Sequence, residues 1–201
     1  MPKIVDHDER RAEIVQAVTR IIIRDGFDRV TMRGIAAEIG YAHGALARYF
    51  PDKKSLLTAA YLQVFNTSHA ETLRRVGGIR GLDALREMSH VLLPFAGIGA
   101  EKSRVVLSFW GRAAQDEALR EIHTEAIVRR RGLIRRFLTE AAEDGELRAD
   151  LDLEIAIEEV SARNAGWQML AVLVPDAASD EKLSASLEAL LDSFRPCEAR
   201  A

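Results

Sequence analysis

The sequence lacks most of the features that assign a chain to a narrow class. It contains one cysteine, Cys197, so an intrachain disulfide and a Cys-rich metal site are both excluded. Its longest nearly uncharged stretches run 12–13 residues, which is short of the ~18 that a membrane-spanning helix needs. Residues 1–11 are polar and have no secretory apolar run. We therefore expect a cytoplasmic protein with no membrane association.

Motifs that carry catalysis are also missing. There is no phosphate-binding GxxxxGK, no HExxH and no glycine fingerprint for dinucleotides after a strand. The five histidines, at positions 7, 43, 69, 90 and 123, are scattered along the chain. A Ser/His/acid triad assembled in space stays open, although nothing in the sequence asks for one. We expect a protein that is not an enzyme and that has no cofactor and no metal site.

The composition is that of an ordinary globular protein, with 48% apolar and 29% charged residues. The formal net charge is −3, but the charge is uneven along the chain. Residues 1–60 hold ten Lys and Arg against eight Asp and Glu, whereas residues 61–201 hold eighteen against twenty-three. The basic excess therefore lies towards the N-terminus.

The hydrophobic periodicity predicts an all-α chain. No sustained two-residue alternation or hairpin signal occurs, whereas apolar residues recur at helical spacing throughout. We expect about nine helices, at roughly 8–25, 32–40, 44–49, 53–74, 82–95, 102–114, 116–143, 153–174 and 180–194. Thr31 and Asp52 are good N-caps for the second and fourth helices.

The second and third helices are short and joined by a tight turn, which is the geometry of a helix-turn-helix motif. Ala36 and Gly40 stand where that motif needs a small side chain under the crossing helix and a left-handed backbone at the turn. The motif's small core is expected to be Ile35, Ile39, Leu46 and Phe50. Positions 33, 41–43, 45 and 47–49 are then free to meet a DNA major groove.

The same segment carries a longer pattern of residues at family-specific spacing. The pattern consists of Gly26, Phe27, Thr31, Ile35, Ala36, Gly40, Gly44, Tyr49, Phe50, Lys53 and Leu56. Through these residues the segment resembles the TetR family of one-component transcriptional regulators. The later part of the chain resembles the family's BetI-type ligand-binding domain, through FWGRA around Trp110 and NAGWQM around Trp167.

The resemblance implies an N-terminal three-helix DNA-binding domain, residues 1–53, and a C-terminal helical domain, residues 54–201, for ligand binding and dimerisation. It further implies a homodimer that binds a palindromic double-stranded DNA operator as a repressor and is released by a small-molecule effector. Two alternatives stay open: a transcriptional activator with the same DNA contacts, and an all-α interaction or scaffold protein that has lost operator recognition. The effector and the operator sequence are not revealed.

The resemblance also assigns DNA contacts. The residues concerned are Thr31, Arg33, Ala42, His43, Ala45, Arg48, Tyr49 and Lys53. Arg33 matches a base-contacting position and could bind guanine O6 and N7, whereas Tyr49 and Lys53 match phosphate contacts. Ala42 replaces a frequent Ser or Thr, and Ala47 replaces a frequent aromatic residue. Base reading therefore falls mainly to the arginines and histidine of this set.

Aromatic and polar residues on the inward helix faces are candidates for the effector pocket. They are Tyr61, Phe65, His69, Phe95, Trp110, Ile127, Asn164, Trp167 and Gln168. The aromatic members also suit an ordinary core, whereas the polar members are better pointers because buried polar groups need partners. Converging rings could cage a quaternary ammonium group, the effector type of choline-responsive members, although this domain type also serves other effectors.

The apolar residues of the last helix recur at helical spacing. Leu183, Leu187, Leu190, Leu191 and Phe194, together with Trp167, are expected to form half of a dimeric four-helix bundle, with an intrachain core as the alternative.

The basic run 129–131 with 135 and 136 is expected to be mostly a solvated face. Arg130 is the exception, because it is in register with Ala126 and Ile134 and would point inward. There it would need a carboxylate partner or an acidic ligand.

Overall fold

The structure, a computed structural model, describes residues 7–95 and 98–196. Within those ranges it contains eight α-helices, three short 3-10 helices and no strand, which confirms the all-α class. The α-helices are α1 His7–Asp25, α2 Met32–Glu38, α3 Lys53–Arg75, α4 Gly81–Leu92, α5 Ile98–Ala113, α6 Glu117–Glu143, α7 Leu153–Leu173 and α8 Asp180–Phe194. The third expected helix is instead a 3-10 helix, His43–Arg48, here called the recognition segment.

One helix end differs from the sequence expectation for a clear reason. We expected a helix to run to Phe95, but α4 ends at Leu92, and Leu93 is extended with φ −70° and ψ 149°. Leu93 precedes Pro94, and the proline ring disfavours helical backbone in the residue before it. The proline therefore ends the helix three residues earlier than the apolar pattern indicated.

The described residues form two compact units. The first comprises the chain up to Asn66 together with Arg104–Arg120, and the second comprises Thr67–Ser103 together with the chain from Glu121. This division differs from a single boundary after residue 53. Residues of α5 join the first unit because Arg104 donates a hydrogen bond to the Ile23 carbonyl (3.1 Å) and Phe109 stacks on Tyr61 (3.9 Å between ring centroids).

The second unit has its own apolar core, formed by residues of α4, α6, α7 and α8. The apolar stripe of α8 lies in this core, and each of its five side chains is at most 3% exposed in the single chain. Such side chains have almost no surface left to bury against a partner. The assignment of Leu183, Leu187, Leu190, Leu191 and Phe194 to a dimer interface is therefore wrong, since these residues form the intrachain core.

The arginine run of α6 lies mostly at the surface of the second unit. Arg131 pairs with Glu158 of α7, and Arg135 pairs with Glu154 through a 2.7 Å bond from Nη2 to Oε2. Arg136 pairs with Glu140 one turn along α6 (3.1 Å). These three cations are neutralised by neighbouring carboxylates, as is usual for a solvated helical face.

The described residues contain neither a membrane-spanning helix nor a cluster of metal ligands. No described helix has the length and apolar content to cross a membrane. In the same ranges, no three His, Cys, Asp or Glu residues are grouped so that they could hold a metal ion. Cys197 lies outside the described residues.

Candidate DNA-binding surface and effector region

The start of α2 is fixed by its cap. Thr31 has extended backbone, and its Oγ1 accepts a hydrogen bond from the Gly34 amide (3.0 Å). The cap satisfies one of the amides that a helix start leaves without a partner. Ile35 and Ala36 face inward and are buried, whereas Arg33 lies outside that inner face and is exposed.

The turn after α2 is held by main-chain groups. Gly40 has φ +70°, the left-handed conformation that glycine adopts without strain. The Tyr41 amide donates to the Ala36 carbonyl (2.8 Å), and the Gly40 amide donates to the Ala37 carbonyl (3.4 Å). This pair of bonds is the Schellman motif. It fixes the direction in which the chain leaves α2 and enters the recognition segment.

The recognition segment is anchored by apolar side chains on its inner side. Leu46 and, just beyond it, Phe50 are at most 1% exposed, whereas Ala47 and Arg48 are exposed and Ala45 is half-buried. The segment is short and Pro51 stops its continuation, so the tighter 3-10 winding, common in such short pieces, is understandable. Ala42 is its exposed N-cap, and the side chain of His43 lies outside the described part.

Arg33 and Arg48 carry the accessible positive charge of this motif. Both are exposed, and neither forms an ion pair or a side-chain hydrogen bond with any residue that the structure describes. By contrast, Arg24 pairs with Asp25 (2.9 Å), and Arg112 pairs with Asp28 (2.9 Å). Cations without carboxylate partners are the ones that can neutralise DNA phosphates or bind base edges.

Tyr49 and Lys53 are more constrained than their sequence positions indicated. The Tyr49 carbonyl accepts a hydrogen bond from Arg11 (2.6 Å), and the Tyr49 ring lies 4.7 Å from that of His7. The Lys53 ammonium donates to the Asp28 carbonyl (3.2 Å) and lies 4.3 Å from the centre of the Phe27 ring. Burial lowers the pKa of Lys53, an effect that Asp28 opposes and Arg112 reinforces.

Lys53 also lines a cleft of about 320 Å³ within the first unit. Its walls are Phe27, Lys53, Lys54, Leu57, Arg112, Gln115, Asp116 and Leu119. The cations of this cleft already have partners, since Lys54 pairs with Asp116 (2.5 Å) and Arg112 with Asp28. The basic residues at the start of α3 therefore already interact with groups of the first unit, which makes their charge less available to DNA.

The expected cap of α3 is present, since the Ser55 amide donates to Asp52 Oδ1 (2.7 Å). Sequence reasoning missed Arg11, which holds the end of the recognition segment, and Arg112, which holds the loop before α2. Their contacts bridge 38 and 84 residues of chain. No local pattern signals a bond over such distances.

The expected pocket residues of the first unit lie mainly in its core. Tyr61 and Phe65 are buried, with ring centroids 6.4 Å apart, and Tyr61 also stacks on Phe109. Trp110 is half-buried. The structure thus brings Tyr61 and Phe65 together as packed core aromatics.

In the second unit, the polar candidates are buried or partly buried. Asn164 and Gln168 are each 6% exposed, and Gln168 Nε2 lies 3.5 Å from the Leu92 carbonyl. Trp167 donates from its indole nitrogen to Ser186 Oγ (3.0 Å), which ties α7 to α8. Phe95 tilts against His90, with ring centroids 4.9 Å apart, and Ile127 is half-buried.

Two histidines of the second unit lie near arginine charge. Burial lowers the pKa of His69, and the nearby Arg129 and Arg130 lower it further. Burial also lowers the pKa of His123, again helped by Arg130. His123 was not among the expected site residues. Its position three residues before Ala126 could have indicated the same inward face.

Two family models match the chain. The model of bacterial regulatory proteins of the TetR family matches residues 14–60. The model of the C-terminal domain of BetI-type transcriptional repressors matches residues 81–196. The first match contains the helix-turn-helix motif, and the second covers α4–α8 completely.

Individual relatives agree with these matches. The transcriptional regulator PksA of Bacillus subtilis is 25% identical over 186 residues, covering 91% of this chain and 88% of PksA. The regulator BetI of Burkholderia mallei is 28% identical over 124 residues, covering 61% of this chain and 64% of BetI. Among solved structures, a regulator from Saccharomonospora viridis in complex with choline has a TM-score of 0.87 at 20% identity. That alignment covers 94% of this chain and 100% of the other, and it shows a shared fold.

The capped α2, the glycine turn and the exposed arginines thus agree with the match over residues 14–60. The chain belongs to the TetR family of transcriptional regulators and has a BetI-type C-terminal domain.

Proposed function

We propose that this regulator represses transcription by binding a palindromic operator as a homodimer, and that a small molecule bound in its C-terminal part releases it from DNA. The observation that carries the proposal is the pair Arg33 and Arg48, both exposed and free of carboxylate partners in the described part of the chain. They project from a motif whose backbone is fixed by the Thr31 cap and the Gly40 turn. Such a regulator acts in the cytoplasm, where the bacterial DNA lies.

Within this proposal the DNA contacts divide into two kinds. Arg33 and Arg48 read base edges, together with His43, by reaching into the major groove. Tyr49 and Lys53 contact phosphates beside the N-terminus of α3, whose free amides attract anions. Ala42 and Ala45 offer apolar contact only, which suits the methyl group of thymine.

The homodimer would use the outer faces of the last two helices, because the inner face of α8 is already buried. Met169, Leu173 and Val174, at the end of α7, are large apolar side chains exposed in the single chain. Trp167 is partly buried against Ser186 of α8. Pairing such surfaces about a twofold axis removes apolar area from water. The twofold axis then presents two recognition segments to two half-sites about 34 Å apart.

The proposal is tested by titrating the purified chain against the DNA upstream of its own gene, with a scrambled fragment of equal length and composition as the control. We expect retention of the upstream fragment at protein concentrations at least a hundredfold below those for the control. The complex should contain an even number of chains. Equal binding to both fragments would support the scaffold interpretation instead.

Repression and activation are separated by a reporter assay in a strain that lacks the gene. Loss of a repressor raises expression from the regulated promoter, whereas loss of an activator lowers it. We expect the rise, and adding the gene back should reverse it.

A further inference from the structure

We propose that Arg11 and Glu13 of α1 are positioning residues for DNA recognition. They fix the two ends of the recognition segment and thereby determine how precisely that segment reads bases. The inference rests on the proposed function, because it names the residues through which the motif obtains its specificity. Each of the two acts through a tyrosine of the motif rather than by touching a base.

The recognition segment needs outside support to keep its orientation. It is a 3-10 helix of six residues, and helices this short gain too little from internal hydrogen bonds to be stable alone. Its inner anchors, Leu46 and Phe50, are apolar and at most 1% exposed. Apolar burial is non-directional, whereas the strength of a hydrogen bond depends on its angle. Directional bonds at the ends of the segment therefore define how Arg48 is presented to DNA.

Arg11 holds the C-terminal end of the segment. Its Nη1 donates a hydrogen bond to the Tyr49 carbonyl (2.6 Å), and its guanidinium carbon lies 4.3 Å from the centre of the Phe50 ring. The last carbonyls of a helix lack partners within it, and Pro51 has no amide that could supply one. Arg11 precedes Ile14, which is 0% exposed, by three residues, so both side chains lie on the same face of α1. The guanidinium group therefore reaches the segment from the inner face of α1.

Glu13 holds the other end. Tyr41 directly precedes the N-cap Ala42, and its hydroxyl donates to Glu13 Oε2 (2.9 Å). Arg10 donates to the same oxygen (2.7 Å), and its guanidinium carbon lies 5.5 Å from the centre of the Tyr41 ring. The bonds from Arg10 and, to a smaller extent, from Tyr41 lower the pKa of Glu13, so the carboxylate stays ionised and able to accept at neutral pH. Side chains two positions apart on α1 thus bind both ends of the segment.

The two anchors act on base reading more than on general attraction to DNA. Arg48 directly precedes Tyr49, so a shift of the Tyr49 carbonyl displaces the Arg48 side chain. A bidentate contact with guanine requires both donors to meet the base edge at once. Phosphate contacts carry no sequence information, and the attraction between charges falls only gradually with distance. Loss of an anchor should therefore reduce affinity for the operator more than affinity for unrelated DNA.

The test is a titration of the full chain against the upstream fragment and its scrambled control at several salt concentrations. Arg11→Met removes the donor and keeps an apolar side chain against Phe50. We expect operator affinity to fall roughly tenfold, while affinity for the scrambled fragment stays within roughly twofold and the salt slope is unchanged. Arg11→Lys keeps the charge and a donor and should restore most of the operator affinity. The matched control is Arg20→Met, the same change at an exposed position of α1 that pairs with Glu38 (3.7 Å), and it should leave the operator preference intact.

Two further measurements keep the test valid if Arg11→Met does not fold. Tyr41→Phe removes only the hydroxyl that Glu13 accepts and should lower the preference for the operator roughly threefold. Hydrogen exchange follows the segment in the absence of DNA. The Tyr49 and Phe50 amides, which close its last turn (2.9 and 3.0 Å), should exchange faster in Arg11→Lys than in the wild type, and faster still in Arg11→Met. The Ile35 amide of α2 should exchange at the same rate in all of them.

The inference is overturned if Arg11→Met lowers affinity for both fragments by the same factor, or if Arg20→Met has the same effect. It is also overturned if Arg11→Met reduces the salt slope by about 1, which would make Arg11 a phosphate contact. Full operator preference in Tyr41→Phe would remove Glu13 from the proposal. A wild-type chain without operator preference would refute the proposed function, whereas faster exchange of the segment in Arg11→Met would still leave its anchoring standing. A wild-type chain that prefers its operator, with Arg11→Met equally selective, would refute only the inference.

Discussion

Two groups of arginines in this molecule differ both in their density along the sequence and in their surroundings. Arg33 and Arg48, fifteen positions apart, are exposed and have no carboxylate partner in the described chain. Arg131, Arg135 and Arg136 belong to the most basic stretch of the sequence, residues 129–136, yet each of the three pairs with a glutamate. The density of basic residues along a chain is therefore a poor guide to where an anion binds.

The reason is electrostatic. DNA binding gains free energy when protein cations replace condensed counterions on the phosphates. A cation already neutralised by a carboxylate must first lose that partner, so its contribution is reduced. The isolated arginines of the helix-turn-helix motif are thus expected to contribute more to operator binding than the arginine run of α6.

The largest expected effect comes from removing both isolated arginines. The double substitution Arg33→Ala and Arg48→Ala should cost about 2–6 kcal/mol of operator binding, since each specific base contact contributes about 1–3 kcal/mol. The matched control is Arg131→Ala with Arg135→Ala, which removes equal charge and should leave affinity almost unchanged. Equal losses in a gel-shift titration would abolish the distinction between the two groups.

Arg33→Ala alone should relax sequence preference at one half-site position, with a cost of about 1–3 kcal/mol for the preferred base and little for the others. The measurement is a set of operator variants with all four bases at each position. If affinity for every variant fell by the same factor, Arg33 would be a phosphate contact rather than a reader of bases.

Thr31→Ala should lower the free energy of unfolding by about 1 kcal/mol, because the Gly34 amide loses its cap. Thr31→Ser keeps the hydroxyl and is the control. Chemical denaturation measures both. An alanine variant as stable as the serine variant would show that the cap does not hold α2 in place.

Lys53 is intermediate between the unpaired and the paired arginines. Its ammonium group has a hydrogen-bond partner, but that partner is the Asp28 carbonyl rather than a carboxylate. Lys53→Ala should weaken binding to all sequences alike and reduce the slope of log K against log salt by about 1. An unchanged slope would mean that Lys53 stays on the Phe27 loop when DNA binds.

The smallest effect is expected from Glu154→Ala, which frees Arg135 at an exposed site. Exposed ion pairs stabilise proteins weakly, so Tm should stay within the error of the measurement. The same variant tests whether an unpaired arginine outside the motif gains DNA affinity. We expect no gain in DNA affinity, because α6 lies outside the helix-turn-helix motif that contacts the bases.

Most of the fold could be predicted from local sequence patterns. The Thr31 and Asp52 caps and the left-handed Gly40 are encoded by residues within three or four positions of the structure they cause. The apolar stripe of α8 was wrongly assigned to a dimer interface. Helical periodicity shows which face of a helix is buried, but not whether the residues that bury it belong to the same chain or to a partner. The 3-10 winding of the recognition segment and the Arg11 bond depend on packing between distant residues, which no short pattern contains.

The main-chain bonds of the turn at Gly40 and Tyr41 have a consequence for how new specificities arise. Since backbone amides and carbonyls hold the frame, the exposed alanines at 42 and 47 carry no structural duty. Replacing them with longer polar side chains would change the DNA sequence that is bound while the unfolding equilibrium stayed the same. Positions 42 and 47 are therefore suited to mutant libraries in which the operator sequence is varied together with the protein.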